Sequence, residues 1–319
     1  YDEARSGWLY PLFDLPQAQK AFKRGEWNKM RVEAIGQNVR VWLNGVATAD
    51  MVCDADMSGF IALQVHDIGK KKELEGRTIR WRNIRIKTKD LDSELSPIIE
   101  SIPQKNHVAN SLSDREQTEG WTLLWNGKDM SGWKSNSGKD FTKGWSCKDG
   151  VMTIAAKSGA GDIITEKKYH DFELSIDFKF SEGANSGIKY FIGANGSIGC
   201  EYQILDDERH PDASRGFEGN RKLGSLYDIL PAPGWKYVRK GDWNTARIVV
   251  RGADVEHWLN GVKILSYRRE GAEWDKLIAK SKFANVKNFA GGDGGHILLQ
   301  DHNDKVEYRN LKIRELNKK

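Results

Sequence analysis

Five polar side chains of this 319-residue sequence could act together if they meet on one sheet face. The two-residue period of a β-strand places Glu201 and Gln203 on one face of a predicted strand. The same period groups Gln300 with His302 on another strand, and Lys189 on a third is a candidate cation. A carboxylate, two amides and an imidazole can bind polar groups and transfer protons. The alternative for any of them, and the favoured one for Lys189, is a solvated sheet face.

Further acidic residues and tryptophans flank these strands. Asp301 lies at the end of the strand that carries Gln300, where it could contact a polar substrate. Asp206 follows the Glu201 strand and could form a turn, bind a cation or lie in a cleft. Trp133 and Trp145 lie in predicted loops and are candidates for stacking on a sugar ring. Two other tryptophans precede a repeated turn, Trp42 and Trp258, which favours a packing role.

A bound metal stays open at this stage. Histidine with carboxylates suits a divalent transition metal. The sequence, however, has no short histidine spacing that would mark a metal site. The three cysteines are widely separated without a CxxC pair, so zinc and a disulfide framework are not indicated. A divalent cation is therefore possible but not required by the sequence.

Several other functions are disfavoured. The net charge of +5, from 50 basic and 45 acidic residues, is spread along the chain and does not predict nucleic-acid binding. Apolar runs do not approach the roughly 18 to 20 residues that cross a bilayer. The stretch 183–187 lacks the spacing of a serine-hydrolase elbow, and 291–295 lacks the strand-to-helix context of a phosphate loop.

The elements that would position these side chains are β-strands. Apolar residues alternate with polar ones from Phe172 to Phe180, which is typical of an antiparallel strand with one buried face. Asn260 and Gly261 tolerate the positive φ of a type I′ hairpin turn. Short helices are predicted only at 273–280 and 95–102. The pattern predicts an all-β antiparallel jelly-roll sandwich.

The sequence contains an internal repeat with an offset of 216 residues. The phrase around Asn44–Gly45 recurs around Asn260–Gly261, and the match continues on both sides. We interpret residues 1–87 as the C-terminal half of a first copy, 88–119 as a linker and 120–319 as a complete copy. The N-terminal half of the first copy is expected from upstream sequence. Val65 replaces Asp301 in the first copy, so a site that needs this carboxylate would be incomplete there.

Ordered motifs of the second copy carry a family resemblance. They are WTLLWNGKDMSGW at 121–133, DGV at 149–151, DFEL at 171–174, GANSGI at 183–188, EYQILDD at 201–207, WLNG at 258–261 and LQDH at 299–302. These motifs are similar to those of the 3-keto-disaccharide hydrolase family, over 120–316 for one domain and 7–87 for the partial copy. The resemblance implies a concanavalin-like or laminin-G-like jelly roll, a carbohydrate substrate, and a periplasmic, cell-envelope or secreted location.

The implied substrate has a ketone at sugar C3. The ketone acidifies the C2 proton, so a base can remove it and the glycosidic oxygen at C1 can leave, with water added later. Such a route needs a base, a stabiliser for the enolate oxygen and an acid for the leaving group, unlike the two-carboxylate route of ordinary glycosidases. Glu201 and His302 are the predicted catalytic pair. The alternative is a carbohydrate-binding jelly roll without catalysis. The oligomeric state stays open.

Overall fold

The computed structural model describes residues 20–65, 67–138, 140–192, 196–292 and 294–316. The chain divides into two compact units, 1–108 and 109–319. Residues 1–19, at the start of the partial first copy, and His66 lie outside the described residues. Among the described helices, none has the length and apolar character needed to span a membrane.

The first unit contains a four-stranded sheet in the order β1-β2-β3-β4. Three of its strands are antiparallel, and the short fourth strand pairs parallel to the third. The strands are β1 (Met30–Ile35), β2 (Asn38–Leu43), β3 (Val46–Val52) and β4 (Lys105–Asn106). Two 3-10 turns also lie in this unit, at Lys72–Leu74 and Asp92–Glu94.

The second unit contains two antiparallel sheets, of eight and five strands, whose shared core makes it a jelly-roll sandwich. The eight-stranded sheet contains β5 (Trp121–Leu123), β7 (Trp145–Lys148), β8 (Val151–Ile154), β10 (Phe172–Phe180), β13 (Asn244–Arg251), β14 (Asp254–Leu259), β15 (Val262–Arg268) and β17 (Val306–Glu315). The five-stranded sheet has the order β12 (Cys200–Leu205), β11 (Asn185–Ile192), β16 (His296–Leu299), β9 (Ile163–Thr165) and β6 (Trp133–Ser135). The short helices are α1 (Asp114–Thr118), α2 (Ala272–Lys280) and the 3-10 turns Phe141–Lys143 and Pro211–Ser214.

Alternation of side chains explains the core between these sheets. Phe172, Leu174 and Ile176 of β10 face inward from one sheet, and Tyr202 and Ile204 of β12 face inward from the other. All five are at most 1% exposed. The predicted all-β jelly-roll fold is thus confirmed.

The two hairpins of the repeat have the same local geometry. β2 and β14 have the same bounds at an offset of 216 residues, as do β3 and β15. Asn44 and Asn260 have φ of 51° and 49° at the two turns, and each asparagine accepts a backbone N–H from the preceding strand region, at 2.8 and 2.9 Å. The tandem arrangement of whole domains stays a prediction.

One expectation about local structure is wrong, and two further features could not be read from the sequence. The segment 95–102 contains no helix, because Pro97 disfavours one and Ser96 is held by hydrogen bonds to Glu33. The predicted linker is divided between the units, and α1 within it ties to β17 through Glu116 and Lys312 at 2.8 Å. The described residues of 61–65 and 82–86 form no strands, unlike their second-copy counterparts. The predicted helix at 273–280 is confirmed as α2.

Candidate functional site

Glu201, Gln203 and Lys189 lie on the face of the five-stranded sheet that points away from the core. We call this the outer face. Cross-strand pairing places Glu201 beside Lys189 and Gln203 beside Gly187. Lys189 in turn pairs with Leu298, whose neighbour is Ile164. Because side chains at paired positions share a face, one polar and one apolar patch adjoin there. The parity that groups Glu201 with Gln203 is present in the structure.

Glu201 is the most chemically distinctive residue of the outer face. It is 6% exposed, and its Oε2 lies 3.7 Å from the Lys189 Nζ. Burial raises the pKa of the Glu201 carboxyl, and the charges of Lys189 and Lys282 oppose that rise. A carboxylate with a raised pKa is a stronger base than an exposed one, so burial makes Glu201 a better proton acceptor.

Gly187 makes the space that Glu201 occupies. A Cβ added at position 187 would lie 2.1 Å from Glu201 Oε1 and 2.8 Å from its Cδ. The backbone at 187 has no positive φ, so the need for glycine here is one of room. The carboxylate therefore lies over β11.

Lys282 is a site residue that the sequence analysis missed. Its Nζ lies 4.1 Å from the centre of the Tyr227 ring, and its backbone N–H donates to Asp228 Oδ2 at 2.7 Å. Desolvation lowers the pKa of the Lys282 ammonium, and the charges of Glu201 and Asp228 oppose that shift. Lys282 follows α2 about eighty residues after Glu201, so spacing carried no signal for it.

The segment 221–228 covers the sheet edge at β12 and places Tyr227 beside Glu201. The N–H groups of Gly224 and Tyr227 donate to the backbone oxygens of Gln203 and Glu201, at 2.8 and 3.0 Å. Arg221 forms ion pairs with Asp228 in the same segment and with Asp212 in the 3-10 turn Pro211–Ser214. These ion pairs join the segment to that turn. A fixed edge segment holds Glu201 and the loop of Lys282 in place.

A cleft opens at the Glu201 end of the outer face. Its lining consists of Lys189, Ser197, Ile198, Gly199, Glu201, Lys282, Phe283 and Val286. Two cations and one carboxylate thus meet apolar walls, an arrangement that can bind a neutral polar ligand and stabilise a developing negative charge.

Gln203 is fully buried beside Glu201. With the amide oriented so that Nε2 faces Glu201, that nitrogen donates to Glu201 Oε1 at 3.2 Å and to the Ser186 backbone oxygen at 3.3 Å. This orientation pairs a donor with the carboxylate, and it requires the neighbouring Asn185 amide to turn as well, because its Oδ1 would otherwise face Gln203 Oε1 at 3.1 Å. Gln203 therefore orients Glu201, and its predicted direct contact with a substrate is replaced by this role.

His302 lies beyond the end of β16, exposed, beside His210 and Asp304. Ligand atoms of these three residues lie within 4.8 Å of one another, so they could hold a metal ion. However, His210 Nδ1 accepts the Asp212 backbone N–H at 3.1 Å, which leaves the proton of the neutral ring on Nε2. In that state His210 is a hydrogen-bond donor through Nε2, so the group fits a hydroxyl better than a metal.

Two predicted substrate-binding carboxylates are engaged by backbone instead. Asp206 accepts N–H groups of Gly183 at 2.8 Å and Glu208 at 3.1 Å, as expected of a turn residue. Burial opposes ionisation of Asp206, but the backbone hydrogen bonds outweigh it and lower its pKa. Asp301 accepts the N–H of Gly161 at 2.9 Å. Both residues position loops around the site.

The predicted sugar-stacking role of Trp133 and Trp145 is wrong for this structure. They are 3% and 2% exposed, and their indole N–H groups donate to the Leu124 and Gly161 backbone oxygens, at 3.0 and 2.8 Å. Large apolar rings with a satisfied donor are stabilised inside the core. A sugar ring has no access to either face.

His257, on β14, belongs to the core and not to the site. It is 0% exposed, its Nδ1 donates to the Gly224 oxygen at 3.0 Å, and its Nε2 accepts from the Tyr190 hydroxyl at 2.6 Å. Burial lowers the pKa of His257 to about 4. A His257 substitution would therefore disturb stability.

The fold and this face define an all-β jelly-roll protein with a buried carboxylate beside two lysines. Residues 1–87 and 120–314 match the family described as "3-keto-alpha-glucoside-1,2-lyase-like domain", and the chain belongs to this family. It is 32% identical over 238 residues to the 3-keto-disaccharide hydrolase of Bacteroides thetaiotaomicron, covering 65% of this chain and 82% of that protein. It is also similar to a "putative glycosyl hydrolase" from Parabacteroides distasonis, at 34% identity with a TM-score of 0.60, covering 66% of this chain and 100% of that one.

Proposed function

We propose that this protein cleaves 3-keto-glycosides, including 3-keto-disaccharides, by elimination across C1 and C2 of the oxidised sugar. The observation that carries the proposal is Glu201, a buried carboxylate that faces a cleft between Lys189 and Lys282. The names of its relatives support a carbohydrate substrate.

Each step of the reaction has a candidate residue. Glu201 takes the C2 proton, and the electrons of the C2–H bond form the enolate of the C3 ketone. Lys282 and Lys189 stabilise the enolate oxygen with their positive charges. As the enolate collapses, the C1–O bond breaks and His302 protonates the leaving oxygen. Water then adds to the double bond and gives the hydrolysed sugar.

His302 has the surroundings that this acid role needs. It is exposed, so it exchanges protons with solvent, and its ring lies 6.0 Å from that of His210. Asp304 lies in the same group, where its carboxylate can accept a hydrogen bond from an imidazole N–H. The positive charge of His302 also helps to lower the pKa of Glu201, so the two groups influence each other.

Incubation of the protein with 3-keto-glucosides and with the unoxidised glucosides tests the proposal, with and without chelator. We expect cleavage of the keto forms only, and a loss on the order of a hundredfold or more in kcat for Glu201→Gln. Glu182→Gln is the control, because Glu182 is exposed and pairs only with Arg209 among the described residues.

Two results would contradict the proposal. Turnover that is equal in Glu201→Gln and the unaltered protein would exclude Glu201 as the base. Binding of sugars without turnover of any keto form would instead favour a carbohydrate-binding module.

A location in the periplasm or cell envelope is also proposed, and cell fractionation tests it.

A further inference from the structure

A row of oxygen acceptors continues from Glu201 across the outer face. Gln300 follows β16 and donates its backbone N–H to the Gly187 oxygen at 3.1 Å. Asp162 precedes β9, and its backbone oxygen accepts the N–H of Asn136, which follows β6, at 3.0 Å. Continuing the printed register by one residue places Asp162 between Gln300 and Asn136. The three side chains therefore occupy neighbouring strands on the face of Glu201.

Two of these acceptors are buried without a donor. Asn136 Oδ1 and Gln300 Oε1 have no hydrogen-bond partner among the described residues. Asn136 is 8% exposed, and its Nδ2 donates to Ser197 Oγ at 2.8 Å, which fixes the direction of the amide. Buried polar atoms are nearly always paired in folded proteins, so two unpaired ones in a row indicate that a ligand supplies the donors.

The position of the row relates it to the carboxylate. Glu201 lies over Gly187, and Gln300 is the next residue of the row on the neighbouring strand. Strands are about 4.8 Å apart, so the backbone distance from Gln300 to Asn136 is about 10 Å, enough for one hexose ring with its hydroxyls. A cation holds its oxygen ligands within about 2.6 Å, which suits a row spread over three strands less well.

We propose that Gln300 and Asn136 form the subsite for the leaving sugar of a disaccharide and accept hydrogen bonds from its hydroxyl groups, while Asp162 between them is held by the Asp301 backbone N–H, which its Oδ1 accepts at 2.9 Å. This inference rests on the proposed function for the position of the reacting sugar over Glu201. It makes the protein selective for disaccharides over glycosides with a small leaving group, because a methyl group has no hydroxyl to donate. Sequence analysis identified Gln300 but neither Asp162 nor Asn136.

Binding to the full chain with Glu201→Gln tests the subsite without turnover. The probes are maltose, cellobiose, trehalose and methyl α-glucoside, measured by titration calorimetry. We expect the best disaccharide to bind about tenfold more tightly than the methyl glucoside, as one or two hydrogen bonds would give. Adding Asn136→Leu should remove that difference and leave binding of the methyl glucoside unchanged.

The control is Ser135→Ala, since Ser135 adjoins Asn136 on the opposite face and should retain the disaccharide preference. If Asn136→Leu fails to fold, as judged by thermal melting, Gln300→Leu replaces it with the same expected loss. Equal binding of all probes, undetectable binding, or a preference that survives both leucine variants would overturn the subsite. Disaccharide binding that chelator abolishes and Ca²⁺ restores would identify a cation site instead and would overturn it too.

The outcomes also separate the subsite from the reaction. If no 3-keto substrate is cleaved but the preference exists and depends on Asn136, the reaction is wrong and the subsite stands. If 3-keto-disaccharides and methyl 3-keto-glucoside are cleaved with equal kcat/KM, and Asn136→Leu changes neither, the reaction stands and the subsite is wrong.

Discussion

Replacing Gly187 with alanine should displace the Glu201 carboxylate while keeping its charge and pocket. The new Cβ would lie 2.1 Å from Glu201 Oε1, where ordinary contacts begin at 3.4 Å. The carboxylate must therefore retreat by more than about 1 Å, since nonbonded atoms cannot share that space. A misplacement of about 1 Å at a reacting group can cost a hundredfold in rate. We expect kcat/KM for a 3-keto-glycoside to fall by about that factor.

Gly187→Ala should remain folded while its activity falls. Alanine is favoured over glycine within a strand by about 0.5–1 kcal/mol, which partly offsets about 1–3 kcal/mol for overpacking. The backbone adds no strain at 187, because its φ is not positive. Urea unfolding should accordingly show a loss no greater than about 2.5 kcal/mol.

Steady-state kinetics and urea unfolding of Gly187→Ala and Gly234→Ala provide the comparison. Gly234 also lacks a positive φ, and a Cβ there would meet nothing within 4 Å, so Gly234→Ala should keep the rate. A Gly187→Ala protein with unchanged kcat/KM would refute the reasoning that carboxylate placement over β11 controls the reaction. Equal losses in both variants would show that glycine replacement acts through the fold.

Three further outcomes follow from the charges around the site and in the core. Lys282→Gln removes a cation that lowers the Glu201 pKa, so the acid limb of the kcat/KM–pH profile should move to higher pH. An unmoved limb would mean that Glu201 is not the titrating base. His302→Ala should lower kcat for a 3-keto-disaccharide about a hundredfold. The control His170→Ala, at an exposed position, should keep the rate. Equal rates in the two variants would remove His302 from the mechanism. Folded His257 is neutral, with a pKa of about 4, whereas an unfolded histidine has a pKa of about 6.5. Unfolding below pH 6.5 therefore takes up a proton, and the free energy of unfolding should fall by roughly 3 kcal/mol as the pH drops from 6.5 to 4. Urea midpoints across that range test this, and His257→Leu should lack that part of the pH dependence.

The sequence by itself determined the strands and the face on which key residues lie. Alternation in β10 and the Asn260–Gly261 turn are local signals, because side-chain direction and positive φ depend only on nearby residues. The same parity grouped Glu201 with Gln203 without any knowledge of the partner strands. Family motifs then led to the proposed carbohydrate substrate.

Only the tertiary structure decided which of these residues are accessible and what they contact. Trp133 has the residue type that stacks on sugars, but packing of the two sheets buries it. Lys282 joins Glu201 because a loop distant in sequence folds over the outer face. Asn136 gains importance only when β6 takes its place at the sheet edge and leaves Oδ1 without a donor. Burial and long-range contacts depend on chain segments far apart in sequence, so local patterns cannot specify them.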